Sequence, residues 1–147
     1  MEFWSGQSAT VAGGSGHVIK VKDFLPVKRG LEMSNAIPSA AGAADMALEP
    51  VGQRTGADVG NPQVSMHTIF NEGSIHAGVW ECTPGGWPTE NRGDTETASI
   101  VSGRGVITDA DGTEQVLAPG AVVTLPAGWS GRWDITETLR KVFVIVS

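Results

Sequence analysis

From Val64 onward the chain alternates apolar and polar residues in short runs separated by turn residues, the period-two pattern of half-buried strands. VSMHTIFN (Val64–Asn71) predicts a strand, NEGS (Asn71–Ser74) a turn, and IHAGVWECT (Ile75–Thr83) the next strand. Pro84–Asp94 is read as a loop. TETASIVSGRGVITD (Thr95–Asp109) holds two strands' worth of alternation broken at Gly103, and Ala110-Asp111-Gly112 predicts a hairpin turn on its Asp-Gly signal. TEQVL predicts a strand, as does AVVTL, which Pro126 and Gly128 stop. WSGRWDIT predicts a further short strand and LRKVFVIVS a closing one. No helical period intervenes, so the pattern predicts an all-β sandwich or barrel over residues 61–147.

Residues 1–60 read differently. Met1–His17 is Gly- and Ser-rich and predicts a flexible arm. VIKVKDFL (Val18–Leu25) alternates as a short strand does, placed to pair with the main sheet or with that of a second subunit. Pro26–Asn61 shows little periodicity and is read as a long loop. A helical turn or two around Ala40–Leu48 fits between Pro38 and Pro50.

Composition narrows the function classes. Twenty glycines and eight prolines suit a turn-dense β architecture. A net charge of −6 argues against a nucleic-acid partner, which rewards clustered Lys and Arg. No apolar run approaches the ~20 residues that cross a bilayer, so no membrane partner is expected. Met1–His17 lacks a basic region followed by an apolar run, so no signal peptide is expected. Cys82 is the single cysteine and forms no internal disulfide, in keeping with a reducing, cytoplasmic setting. GGSG (Gly13–Gly16) is not a phosphate loop, because no Lys-Ser/Thr follows.

GVWECTPGGW (Gly78–Trp87), ETASIVSGRGVITDADG (Glu96–Gly112) and LAPGAVVTLPAGWSGRWDITETLRKVFVI (Leu117–Ile145) carry a family resemblance. Together they resemble the ureidoglycine-aminohydrolase-like, RmlC-like branch of the cupin superfamily. The resemblance implies a cupin double-stranded β-helix, a jelly-roll barrel with little helix. It also implies a small-molecule ligand inside the barrel and a homodimer.

Cupins share the motifs G-(x)5-H-x-H-(x)3,4-E-(x)6-G and G-(x)5-P-x-G-(x)2-H-(x)3-N, whose histidines and glutamate hold a divalent metal. Here Glu96 fits the glutamate and Gly103 the closing glycine. Gly120, Pro126 and Gly128 fit the second motif. Its histidine position falls on Gly131, and the first-motif histidines fall near Thr89–Gly93, where none stands. His17, His67 and His76 lie outside the motif positions. Divalent transition metals need imidazole, thiolate or several carboxylates. No cofactor is therefore expected, and the metal-dependent oxygenase and aminohydrolase activities of the superfamily are disfavoured.

Glu96 shares a strand face with Ala98 and Ile100, the face that the resemblance turns inward. It is the first choice for acid/base chemistry, against an ion pair with Arg132, Arg104 or Lys141. Glu81 and His76 are second choices. If Glu81 also faces inward, it forms a two-carboxylate site with Glu96; otherwise it is an outer-face carboxylate. His76 acts as a base if it stands beside Glu96. Trp87, Trp129 and Trp133 lie in or beside the loops at the barrel mouth, as ligand contacts or as plugs of the barrel end. Arg132 joins them as a ligand-binding candidate. The expected function is that of a metal-independent small-molecule cupin, an isomerase, epimerase or lyase in type. A non-catalytic binding module and a carboxylate-rich metal aminohydrolase are the alternatives.

Overall fold

The computed structural model describes residues 11–12, 18–19, 36–37 and 42–147. The chain divides into two units, Met1–Ile37 and Pro38–Ser147. In the first, β1 (Val11–Ala12) pairs antiparallel with β2 (Val18–Ile19). The expected strand at Val18–Leu25 is thus described only over Val18–Ile19; its remainder, and the Gly-rich arm around β1, lie outside the described residues.

The second unit is all-β. Its strands are β3 (Glu49–Gln53), β4 (Gln63–Glu72), β5 (Ile75–Cys82), β6 (Gly85–Thr89) and β7 (Thr95–Asp109), followed by β8 (Glu114–Leu117), β9 (Val122–Leu125) and β10 (Gly131–Val146). Every pairing is antiparallel. The order runs β3-β4-β5-β10-β7-β8, with β6 added beside β10 and β9 beside β7. A turn at Ala43–Asp45 stands where a helical turn was expected, and the described residues contain no helix.

Two long strands organise this sheet. At ~3.3 Å per residue, 16 residues laid straight span roughly 50 Å, more than a small domain is wide. So β7 and β10 bend. Residues 139–146 of β10 pair with β5, and residues 131–135 pair with β6. Likewise β7 pairs with β9 through Glu96–Ser99 and with β8 through Gly105–Thr108. Each long strand serves both layers of the jelly roll, and the β7–β10 ladder is the corner between them.

Gly103 makes the corner. It has φ +83°, and a Cβ there would stand 2.1 Å from the Thr138 carbonyl oxygen. The β7–β10 register shifts between Ile135 and Lys141. Before the bulge the buried residues of β7 are Glu96, Ala98 and Ile100; after it they are Gly105 and Ile107. The extra residue switches the inward parity of β7 while β10 keeps Trp133, Ile135, Leu139, Lys141 and Phe143 buried. The extra residue of β7 lies between Ile100 and Ser102, and Gly103 faces an insertion in β10, so the strand runs on through Gly103 as a bulged corner, not the break between two that alternation suggested.

The core fills the hollow with Val64, Cys82, Ala98, Ile100, Ile107, Leu117, Val123, Leu125, Ile135, Leu139 and Phe143. A fully buried side chain of this class stabilises by ~1.5–3 kcal/mol. Two charged residues share that interior, Glu96 and Lys141, at 3% and 6% exposed.

Candidate functional site

A cavity of about 330 Å³ opens into the barrel, lined by residues of β3, β4, β5, β6, β7 and β10 and of the 89–92 loop. Its wall carries Trp80, Trp87 and Trp133, three cations (Arg54, Arg92 and Lys141), one carboxylate (Glu96) and His76. The chain is acidic overall, yet this hollow is cationic.

Glu96 reaches the hollow because its parity on β7 is that of Ala98 and Ile100. One carboxylate oxygen, Oε1, accepts a hydrogen bond from Lys141 Nζ. The other, Oε2, lies 2.9 Å from Arg92 Nη2. Arg92 Nε is also 2.7 Å from Asp94 Oδ1, a charge contact without hydrogen-bond alignment. A buried carboxylate with a cation on each oxygen has its desolvation largely offset.

Lys141 meets two indoles as well. Its Nζ lies 4.6 Å from the ring centroids of both Trp80 and Trp133, within cation–π range. Trp133 stacks on Trp87, the residue opposite it across the β6–β10 ladder, at 6.0 Å and 12°. Arg54 lies over the Trp87 ring at 5.0 Å. Burial lowers the Lys141 pKa from its ordinary value, an effect that Glu96 opposes. Burial lowers that of Arg54 as well. Among the described residues Arg54 has no carboxylate within ion-pair distance; its Nη1 donates only to the Thr55 carbonyl, at 3.1 Å.

The structure gathers Glu96, His76, Trp87 and Trp133 at this cavity and places the other expected site residues elsewhere. Glu81 is on the opposite face of β5 from Trp80 and Cys82. It accepts a hydrogen bond from Arg140 Nε at 2.8 Å, so the two-carboxylate site does not form. Arg132 is saturated outside the cavity, donating two hydrogen bonds to Asp58 (2.8 and 2.9 Å) and others to Asp134. Those bonds raise the Arg132 pKa, Asp58 first, and lower that of Asp58. They clamp the segment after Arg54 onto β10. Trp129 is not on the cavity wall; its Nε1 donates to Asp109 Oδ1 at 2.7 Å. Its carbonyl accepts from the Arg92 amide at 2.9 Å, so it braces the loop that carries Arg92.

His76 lines the cavity without standing beside Glu96. Both are in register with Ile145, which puts them two strands, about 10 Å, apart. The ring instead meets Thr68 Oγ1 at 3.4 Å and the edge of Phe143. Cys82 is fully buried, and desolvation pushes its thiol up to about 11, as befits a packing residue. Of the three cations expected as partners for Glu96, Lys141 pairs with it, Arg132 pairs with aspartates, and Arg104 lies 3.6 Å from Glu137.

Arg54, Arg92 and Trp80 were not expected at the site. Arg54 follows β3, a strand that Pro50 and Gly52 hide from an alternation reading. Arg92 belongs to a loop that carries no periodicity. Lys141 was available only as a partner for Glu96, although it is the sole lysine after Lys28 and opens directly onto the apolar run Val142–Val146.

Residues 71–143 match the family of EutQ-like cupin domains, and the all-β barrel has the jelly-roll fold of a cupin domain. The chain is similar in fold to three solved proteins. One is a protein of unknown function from Pseudomonas syringae pv. tomato, at TM-score 0.64 and 21% identity over 69% of this chain and 45% of that one. This chain thus spans less than half of that protein's length. A second, described as ethanolamine utilization protein Q from Salmonella typhimurium, gives TM-score 0.56 and 15% identity over 95% and 94% of the two chains. The third, a predicted oxalate decarboxylase from Thermotoga maritima, gives 0.57 and 17% over 74% and 98%. At these identities the likeness carries the fold alone. No curated protein matches the sequence. Among the described residues no helix is long and apolar enough to cross a membrane.

The metal that cupin motifs imply does not fit the residues at this position. The glutamate that would ligate it is occupied on both oxygens by cations. A divalent ion there would face the Lys141 ammonium and the Arg92 guanidinium. Among the described residues no three His, Cys, Asp or Glu side chains converge as a ligand set.

Proposed function

We propose that the barrel is a metal-independent small-molecule site that takes an organic anion and moves a proton on it, in the manner of an isomerase, epimerase or lyase. The observation that carries this reading is the charge of the cavity wall: three cations against one carboxylate, with Arg54 lacking a carboxylate partner among the described residues. Guanidinium groups in a partly desolvated hollow favour a carboxylate, which they grip bidentately. Lys141 and Glu96 share a hydrogen bond at the same wall, so one is placed to accept a proton and the other to return it. The indoles supply the apolar body of the pocket and exclude water. Within this reading the uses foreseen for Glu96, Trp87 and Trp133 stand, and Lys141 takes the second acid/base role considered for Glu81 and His76.

Tryptophan fluorescence tests the anion, because three indoles line the cavity. Titration with lactate and malonate is expected to quench emission, and choline, as a cationic control, is not. Arg54→Ala is expected to weaken the anions about tenfold, the worth of one charge-assisted hydrogen bond. Quenching by choline alone overturns the proposal. Proton transfer is read by NMR in D2O, as deuterium entering the carbon next to the carboxylate. Glu96→Gln, which keeps the shape but not the charge, is expected to slow it; an unchanged rate removes Glu96 from the chemistry.

A further inference from the structure

The charge pairing at Glu96 does not require a lysine. An arginine at 141 would pair with the carboxylate and lie over the indoles at least as well. What a lysine adds is an amine that becomes a nucleophile once its proton is gone, and desolvation promotes that loss. Lys141 is the only lysine in residues 29–147 and it stands on the cavity wall. Glu96, bonded to it, is the adjacent proton acceptor. Arg54 and Arg92 border the same cavity as carboxylate-binding groups, and a volume of about 330 Å³ suits a compact molecule.

We propose that Lys141 forms an imine with the carbonyl carbon of a 2-oxo acid whose carboxylate lies against Arg54 and Arg92. This rests on the anion-site reading above and names its substrate class. The Lys141 ammonium passes one proton to the Glu96 carboxylate, and the freed amine adds to the carbonyl carbon. The C–N bond forms as the carbonyl π pair moves to oxygen. Proton transfer from nitrogen to that oxygen gives the carbinolamine. Glu96 then returns its proton to the hydroxyl, which leaves as water while the nitrogen lone pair closes the C=N bond. The products are a protonated imine, one water and the Glu96 carboxylate, with net charge unchanged and no redox partner. The iminium keeps the positive charge that Trp80, Trp133 and Glu96 already hold. It also draws electrons from the neighbouring carbon, which eases proton removal there.

Reductive trapping tests the proposal. The full chain is incubated with pyruvate and cyanoborohydride, and its peptides are mapped by mass spectrometry. One adduct per chain is expected, at Lys141, with Lys20, Lys22 and Lys28 as internal controls. Lactate, which fills an anion site but has no carbonyl, is expected to protect Lys141. Acetaldehyde, which has the carbonyl but no carboxylate, is expected to label it about tenfold more slowly. Lys141→Arg is expected to give no site adduct; if that variant does not fold, lactate protection of the unmodified chain carries the same information. Adducts confined to the other three lysines overturn the imine, and equal labelling by acetaldehyde overturns the 2-oxo acid. If pyruvate quenches the tryptophans without trapping at Lys141, the imine falls and the anion site stands. If it does neither, both fall.

Discussion

Arg140 and Lys141 are neighbours on β10, and each holds a carboxylate from an adjacent strand, yet they face opposite sides of the sheet. On the outer side Arg140 pairs with Glu81 and donates from Nη1 to the carbonyls of Ala43 and Met46, both at 3.1 Å, and of Ala44 at 2.6 Å. The Nη1 contacts there tie the 43–46 segment to the barrel, and the Nε contact ties β10 to β5. On the inner side Lys141 pairs with Glu96 beside an open cavity with two guanidinium groups on its wall. The Glu81 side chain is 30% exposed and that of Glu96 4%. One pair fastens the fold, with solvent screening part of its charge. The other keeps desolvated charge beside space that a ligand can enter.

The largest effect that separates the two pairs should come from Glu96→Ala. It leaves Lys141 and Arg92 in the interior without their shared carboxylate, a loss of ~3–5 kcal/mol by the usual measure of broken buried pairs. The urea midpoint reads it. Lys141→Ala should cost less, because Glu96 keeps Arg92; equal costs would show that Arg92 contributes nothing. Next in size is Arg140→Ala, expected to cost ~1–3 kcal/mol through lost hydrogen bonds. It should speed proteolysis and amide exchange around Ala43–Met46 and leave anion titration unchanged. An altered anion affinity would break the division between inner and outer faces.

A pH series sharpens the comparison further. Lys141 has its folded-state pKa below the ordinary 10.5, so between the two values the unfolded chain binds more protons and stability rises with pH. The stability of the wild type relative to Lys141→Met should therefore climb as pH rises from the lowered folded-state value to 10.5 and then level. A flat difference would show that folding leaves the Lys141 pKa unshifted. The smallest effect is expected at the exposed Asp58–Arg132 clamp. Asp58 is depressed by the hydrogen bond from Arg132, so its contribution is present above the unfolded carboxylate pKa of ~3.9 and fades as pH falls through the folded value. Asp58→Asn should remove only that acid-side change, read as thermal midpoints at pH 2–5.

The strands with clean alternation were legible in the sequence, and those rich in Pro and Gly were not. Ile75–Cys82, the Asp111-Gly112 turn and Val122–Leu125 stand where their patterns put them. β6 was read as loop because Gly85, Gly86 and Pro88 discourage a strand; its pairing with β10 decides the matter. β3 tolerates Pro50 because it is an edge strand, irregular between Pro50 and Gly52. At the site, Glu96 was legible because turn residues fix its offset from Gly103. The face of Glu81 was not, since apolar residues occupy both sides of β5. Arg54 joins Lys141 only through tertiary placement, 87 residues apart in sequence, and no local period announces that.

The corner at Gly103 has a consequence for how the gene tolerates deletion. The bulge joins two alternation frames, even-numbered residues inward before it and odd-numbered after it. Removing any one residue between Ile100 and Gly105 merges the frames. Either Glu96, Ala98 and Ile100 then turn to solvent, or Gly105 and Ile107 do. A single-residue deletion at the hairpin tip, Ala110–Gly112, changes only a connection. Deletion scanning along β7 should therefore show a sharp block of intolerance centred on a glycine whose own side chain contributes no contact.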